Sequence, residues 1–169
     1  MKRRTGFVSN SSSSSFIVAF PKGFEPTRGH IIDYLFPQLE VIANPYHDEE
    51  RGLAVSDAAR YILGQMKDQS PNDQTKIDEA LSGWLPGQPD YPSHSPTTPL
   101  EERVKIGDAW VKNCEAYAKR WWRENQKRLK PAESDLYVFW FGDQNGNLEA
   151  ALEYGPTFNA VPALKISHH

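Results

Sequence analysis

No proline interrupts the chain between Pro99 and Pro131, and this stretch constrains the fold more than any other feature. Thr98 and Glu101 have the spacing of a capping box, and Pro99 stands at the first helical position, where its missing N–H costs nothing. We therefore predict one long helix over about residues 99–128. Its apolar residues fall on one stripe at helical spacing: Leu100, Val104, Gly107, Val111, Cys114, Ala118, Trp121 and Leu129.

The composition is typical of one folded domain. Hydrophobic residues make up 38% of the 169 residues and charged residues 24%, with a formal net charge of −3. These values argue against a disordered chain and against a chain-wide nucleic-acid footprint. Cys114 is the only cysteine, which excludes an internal disulfide framework and a Cys-rich zinc site. We predict a single domain over residues 1–169, with a proline-rich loop at 85–99.

The first half of the chain has the pattern of one strand followed by helices. The apolar run 16–20 predicts a buried strand that Pro21 ends. Three helices are then expected, beginning near Thr27, Ser56 and Ser70-Pro71.

After the long helix the pattern changes to that of strands. Residues 136–141 and 148–154 flank an Asn145-Gly146 turn, which predicts a β-hairpin, and the run 161–166 predicts one more strand. Strands at both ends with helices between them favour the α+β class over strict βαβ alternation. We expect an antiparallel sheet of about three to five strands from the N- and C-terminal segments, packed with about three to four helices.

No apolar run approaches the ~20 residues that cross a bilayer. The basic residues 1–4 lead into serines rather than into the apolar stretch of ~7–15 residues that a secretory signal contains. We therefore expect an unprocessed, cytoplasmic protein that makes no membrane contact.

A polar run, Ser9-Asn10 followed by Ser11–Ser15, lies between the apolar segments 7–8 and 16–18. Its composition alone favours a flexible linker. The apolar flanks favour the alternative, a run held against the domain whose hydroxyl and backbone N–H groups bind a phosphate or another anion. Ser9 and Asn10 are binding candidates on this interpretation.

The stretch from Arg4 to Phe16, which reads RTGFVSNSSSSSF, resembles the N-terminal signature of a scattered group of small, uncharacterised bacterial and bacteriophage proteins. The resemblance implies a phage or prophage setting, a host-cytoplasmic location and a fold that brings both ends of the chain together. It brings no established activity and leaves the helical middle unmatched. The group's C-terminal segment is matched at Glu153, Gly155, Phe158, Pro162, Ser167, His168 and His169, with departures at Tyr154 and Ala163.

This pairing of the two ends suggests a catalytic hypothesis. His168 or His169, oriented by Glu153, would activate one serine for nucleophilic attack, and neighbouring N–H groups would stabilise an oxyanion. Such chemistry would make the protein a small hydrolase or transferase. The alternative is a frayed, solvent-exposed histidine pair. The candidate serines are Ser11, Ser12, Ser13 and Ser14.

The sequence predicts no metal and no cofactor. The five histidines show no His-x-x-x-His spacing. The segment 143–149 alternates carboxylate and carboxamide groups but lacks the glycine and the final glutamate of an EF-hand loop.

The end of the long helix is a binding candidate, because six basic residues and one acidic residue lie between Lys119 and Lys130. Cations also collect at helix C-termini simply because the dipole favours them. Adjacent helical residues point about 100° apart, so we expect Trp122 rather than Trp121 at the surface. Trp and Arg are frequent hot spots of protein interfaces, which favours a protein partner over nucleic acid bound through 119–130. The binding candidates are Arg120, Trp122, Arg123 and Lys127.

The first interpretation is therefore a phage-type accessory protein that binds a host or viral protein through the region of Trp122 and Arg123 and the proline-rich loop. The alternatives are the small hydrolase or transferase and a virion or scaffold component. The sequence leaves the oligomeric state open.

Overall fold

The computed structural model describes residues 13–43, 52–142 and 147–168. The elements follow one another as a strand, four helices with a small hairpin among them, a second long strand, a fifth helix and a last strand. They are β1 (Ser13–Pro21), α1 (Arg28–Leu35), β2 (Val41–Ile42), β3 (Leu53–Ala54), α2 (Val55–Lys67), α3 (Gln74–Leu81), α4 (Leu100–Asn125), β4 (Ser134–Gly142), α5 (Asn147–Tyr154) and β5 (Ala163–His168).

The main sheet has three antiparallel strands in the order β4-β1-β5, so the N-terminal strand is the central one. Ser15 lies opposite Trp140 of β4 and Ile166 of β5. β2 and β3 form a separate two-stranded sheet. The predicted α+β class and the antiparallel sheet built from both ends of the chain are therefore confirmed.

Helices cover both faces of the main sheet. Successive strand residues point to opposite sides, so β1 contributes side chains to the core on each face. Phe16, Val18 and Phe20 pack in a core with α1, α2 and α5. Ile17 and Ala19 pack in a second core with α3 and with partly buried side chains of α4. The near-continuous apolar run of β1 follows from this two-sided burial.

The helices α1, α2 and α3 lie where the sequence patterns predict them, but the caps of α2 and α3 differ from those expected. Thr27 caps α1 as expected, since its hydroxyl accepts from His30 N at 3.1 Å. α2 begins one residue before the expected cap Ser56, and its N-cap is Ala54. α3 begins beyond Ser70-Pro71, after the cap Asp73.

The predicted hairpin after Pro131 is wrong. Its first strand exists as β4, but the expected second strand, 148–154, is the helix α5. The segment reads Leu-Glu-Ala-Ala-Leu-Glu, all strong helix formers. Ala151 and Leu152 are fully buried, so tertiary packing reinforces this local preference over the Asn-Gly turn signal. The turn itself, 143–146, lies outside the described residues.

The long helix is confirmed: α4 begins at Leu100, and a 3₁₀ turn (Gln126–Leu129) continues it from Asn125. The expected capping box does not form, because Pro99 is the N-cap and no side chain caps the helix there. The Thr98 carbonyl instead accepts from Arg103 Nε at 2.7 Å. Within the described ranges, no helix combines the length and apolarity needed to cross a membrane.

β4 is an edge strand whose outer edge is covered by side-chain amides from α2. Gln65 pairs with the backbone of Trp140, donating to its carbonyl at 2.8 Å and accepting from its N–H at 2.9 Å. Gln69 makes the same pair of bonds with Val138, at 2.7 and 2.9 Å. Four helical residues rise ~6 Å, close to the repeat of two strand residues, so two glutamines match two successive outward-facing strand residues.

Candidate functional site

The two ends of the sequence meet along β1 and β5. Ser13 lies opposite His168 in the ladder, and its hydroxyl donates to the His168 carbonyl at 3.4 Å. Ser15 Oγ and His168 Nε2 are 2.9 Å apart and share a hydrogen bond. The structure thus places the predicted candidate Ser13 against the His168 backbone, but the serine bonded to the imidazole ring is Ser15, which was not among the predicted candidates.

Glu153 holds a different serine. Ser14 Oγ donates to Glu153 Oε1 at 2.7 Å, and both side chains are buried. Because Ser14 and Ser15 point to opposite sides of β1, Glu153 lies on the α5 side of the sheet and His168 on the α3 side. Glu153 is therefore not placed to orient the His168 ring about a single serine.

The fold covers Ser15 and leaves the neighbouring His168 half-buried. Ser15 is fully buried, and the His168 ring packs on the indole of Trp140 with centroids 4.5 Å apart. Gly83 also lies against the ring. A Cβ at Gly83 would lie 2.6 Å from His168 Nδ1 and 2.7 Å from the Ser167 carbonyl, so only glycine fits there.

We expect Gly83→Ala to lower the free energy of unfolding by about 1–3 kcal/mol, because the methyl group must displace β5 or the His168 ring. Gly64→Ala is the matched control, since Gly64 is exposed on α2 and nothing lies within 4 Å of its Cβ position. This control should be neutral or stabilising by up to ~1 kcal/mol. Urea denaturation measures both, and equal effects of the two changes would contradict the packing described.

The other candidates at the two ends lie outside the described residues: Ser9, Asn10, Ser11, Ser12 and His169. In the ranges 13–43, 52–142 and 147–168, no three His, Cys, Asp or Glu side chains gather as a metal site.

The described residues also include a partly buried pair, Tyr61 and Glu149, that the sequence did not indicate. Glu149 accepts from the Tyr61 hydroxyl and, at 2.8 Å, from the Gly142 N–H. Burial of the phenol, reinforced by this hydrogen bond, raises the pKa of Tyr61 to about 12. The phenol therefore stays a neutral donor that ties α2 to α5. No local pattern links residues so far apart in sequence.

α4 presents an apolar surface to solvent. None of its residues, all of which the structure describes, is buried. Its apolar stripe stays in solvent over the first half, where Leu100 is 74% exposed, Val104 53% and Val111 46%. We call these three residues the α4 face.

The α4 face leads into a groove between α3 and the C-terminal half of α4. This groove has a volume of about 750 Å³. Apolar side chains line it, including Leu81, Val111, Cys114, Ala118 and Trp122, and its charged lining includes Asp78, Glu115, Lys119 and Arg123.

The proline-rich loop covers one flank of α4 and reaches the stripe at Cys114, whose Sγ accepts from Gln88 Nε2 at 3.4 Å. Trp110 Nε1 donates to the Pro89 carbonyl at 3.0 Å, and the Tyr117 hydroxyl donates to the Pro86 carbonyl. The Tyr91 ring packs edge-on against the Trp110 ring, with centroids 5.2 Å apart. The loop is therefore attached to α4, and it leaves the α4 face uncovered.

The predicted binding residues at the helix end are brought together only in part. Trp122 and Trp121 are both half-buried against the second core, and Trp122 lines the groove rather than standing free. Arg123 lines the same groove. The Arg120 guanidinium lies over the Tyr117 ring, 5.1 Å from its centroid, and Lys127 is exposed in the 3₁₀ turn.

The chain matches no family model, no curated protein sequence and no solved structure. The fold offers two candidate sites, the Ser15–His168 pair and the surface of α4. The α4 face and the adjoining groove, unlike the Ser15–His168 pair, form a large area that the fold itself leaves uncovered.

Proposed function

We propose that this protein acts by binding a protein partner, and that the binding surface consists of the α4 face and the adjoining groove. The single observation that carries the proposal is the exposure of Leu100, Val104 and Val111 on a helix without one buried residue. A helix on the surface of a globular protein normally turns its apolar stripe toward the core.

The energetics of helices support the proposal. Most helical stability in proteins comes from packing an apolar face, and α4 packs only part of its own. Contiguous exposed apolar surface on a protein marks an interaction site more often than chance. A partner that covers the α4 face would supply the missing burial.

The groove supports the same proposal. An apolar track runs ~33 Å from Leu100 to Trp122 at 1.5 Å per residue, which suits an amphipathic helix laid along it. Trp122 and Arg123 line the C-terminal end of the track, and both belong to residue types that dominate interface hot spots.

Photo-crosslinking tests the proposal. Benzoylphenylalanine placed at Val104 should form a covalent adduct of defined mass in cells that express the protein. The same amino acid at Asp33, an exposed residue of α1, is the control and should form none. Adducts from both positions in similar amounts, or from neither, would overturn the proposal.

The hydrolase or transferase stays a second candidate, and the Ser15–His168 hydrogen bond is the observation that favours it. A substrate would reach Ser15 Oγ only after the side chains that cover this face of β1, among them the His168 ring, moved aside, because that hydroxyl is fully buried. A fluorophosphonate probe that labels the protein, and that fails to label Ser15→Ala, would support this candidate.

A further inference from the structure

We propose that the partner that covers the α4 face and the groove is a second copy of this chain, with the two α4 helices packed antiparallel. This inference rests on the proposed function, because it names the occupant of the same surface. Three features of α4 support it: the spacing of its apolar residues, their sizes and the distribution of its charges.

The apolar residues of α4 have the spacing of a coiled-coil seam. Steps of four and three residues alternate along the stripe, which is the pattern that two helices bury between them. The seam is continuous from the α4 face into the groove. Its positions are Leu100, Val104, Gly107, Val111, Cys114 and Ala118.

The sizes of the seam residues favour an antiparallel pair. Leu100 and Val104 occupy the first turns, whereas Cys114 and Ala118 line the groove. In an antiparallel pair, the large residues of one copy lie over the small residues of the other. The groove there offers about 750 Å³ to receive them. A parallel pair would set small residues against small residues over that volume.

The charges favour the same orientation. Glu101 lies near the start of the helix and Lys119 near its end, and at 100° per residue both stand on the same flank of the seam. Both are exposed, and among the residues that the structure describes neither forms an ion pair within 4.0 Å. Antiparallel packing brings Glu101 of one copy to Lys119 of the other, and it also opposes the two helix dipoles. Parallel packing would keep these two residues apart by the ~27 Å that 18 helical residues span.

The middle of the helix does not select an orientation, because Asp108, Lys112 and Glu115 alternate in sign there. The proline-rich loop limits the approach, since it is hydrogen-bonded along the flank that carries Trp110 and Tyr117. It also reaches the seam at Cys114, whose Sγ accepts from Gln88 Nε2 at 3.4 Å. A second copy therefore meets the free flank and the seam residues that the loop leaves open.

A charge exchange tests the inference by sedimentation velocity. One variant carries Glu101→Lys, and the other carries Lys119→Glu. We expect the wild-type chain to sediment at twice the mass of one chain. Each variant alone should raise the dissociation constant at least about tenfold, because like charges then meet at both ends of the pair. An equimolar mixture of the two variants should restore the dimer, because opposite charges then meet at both ends.

The control is Asp33→Lys, a charge reversal on exposed α1 that should leave the dimer unchanged. Circular dichroism on each variant checks that α4 stays folded. A wild-type chain that is monomeric at all concentrations, or variants whose mixture associates no better than each alone, would overturn the inference. If the wild type is monomeric while position 104 crosslinks to a different protein, the inference fails and the proposed function stands. If position 104 forms no adduct, both fail.

Discussion

The double substitution Val104→Glu and Val111→Glu should weaken binding at the α4 face at least about 100-fold, since two carboxylates in a dry apolar seam cost several kcal/mol. The stability of the fold should change by no more than about 0.5 kcal/mol, because both valines lie in solvent in the unbound chain. Sedimentation velocity measures the association, and urea denaturation measures the stability.

The matched control is Ala109→Glu with Ala116→Glu. These alanines are also exposed, stand on the same helix and have the same spacing of seven residues. At 100° per residue they lie on the far side of α4 from the valines. We expect this control to associate like the wild type. An equal loss of binding in both double variants would show that added charge, rather than the α4 face, is responsible.

The double substitution Gln65→Ala and Gln69→Ala should destabilise the fold by about 2–4 kcal/mol, because four hydrogen bonds to the edge of β4 are lost. Alanine is a better helix former than glutamine, so helix propensity does not account for the loss. The uncovered edge should also pair with other chains. Urea denaturation reports the first effect, and light scattering during storage reports the second.

Gln74→Ala is the control for this change, since Gln74 is an exposed helical glutamine that bonds only to Asp78 on its own helix. It should change stability by less than about 0.5 kcal/mol. A double variant at 65 and 69 that loses under ~1 kcal/mol and shows no aggregation would contradict the role of the two glutamines as a cover for β4.

Local patterns predicted those parts of the fold that depend on nearby residues. The apolar run of β1 and the proline-free stretch of α4 each carry their own signal. The segment 148–154 misled because an Asn-Gly pair signals a hairpin only when the next segment is able to form a strand. Here strong helix formers follow the turn, and β4 finds its partner in β1 at the other end of the chain.

The candidate sites were predictable only as residue types. The sequence indicated that serines, Glu153 and His168 belong together, but it did not show that Ser14 and Ser15 point to opposite faces. The stripe on α4 was visible as periodicity, yet periodicity does not show whether anything covers the stripe. The spacing of Gln65 and Gln69 was a usable signal, since amides four residues apart on a helix match the edge of a strand.

Amide hydrogen exchange at low and high protein concentration locates the surface that self-association covers. If two copies pack through α4, exchange in α4 slows as the concentration rises, while exchange in α1 stays the same. Exchange in α4 that does not depend on concentration, or protection that falls on the sheet edges instead of α4, would rule out a dimer through α4.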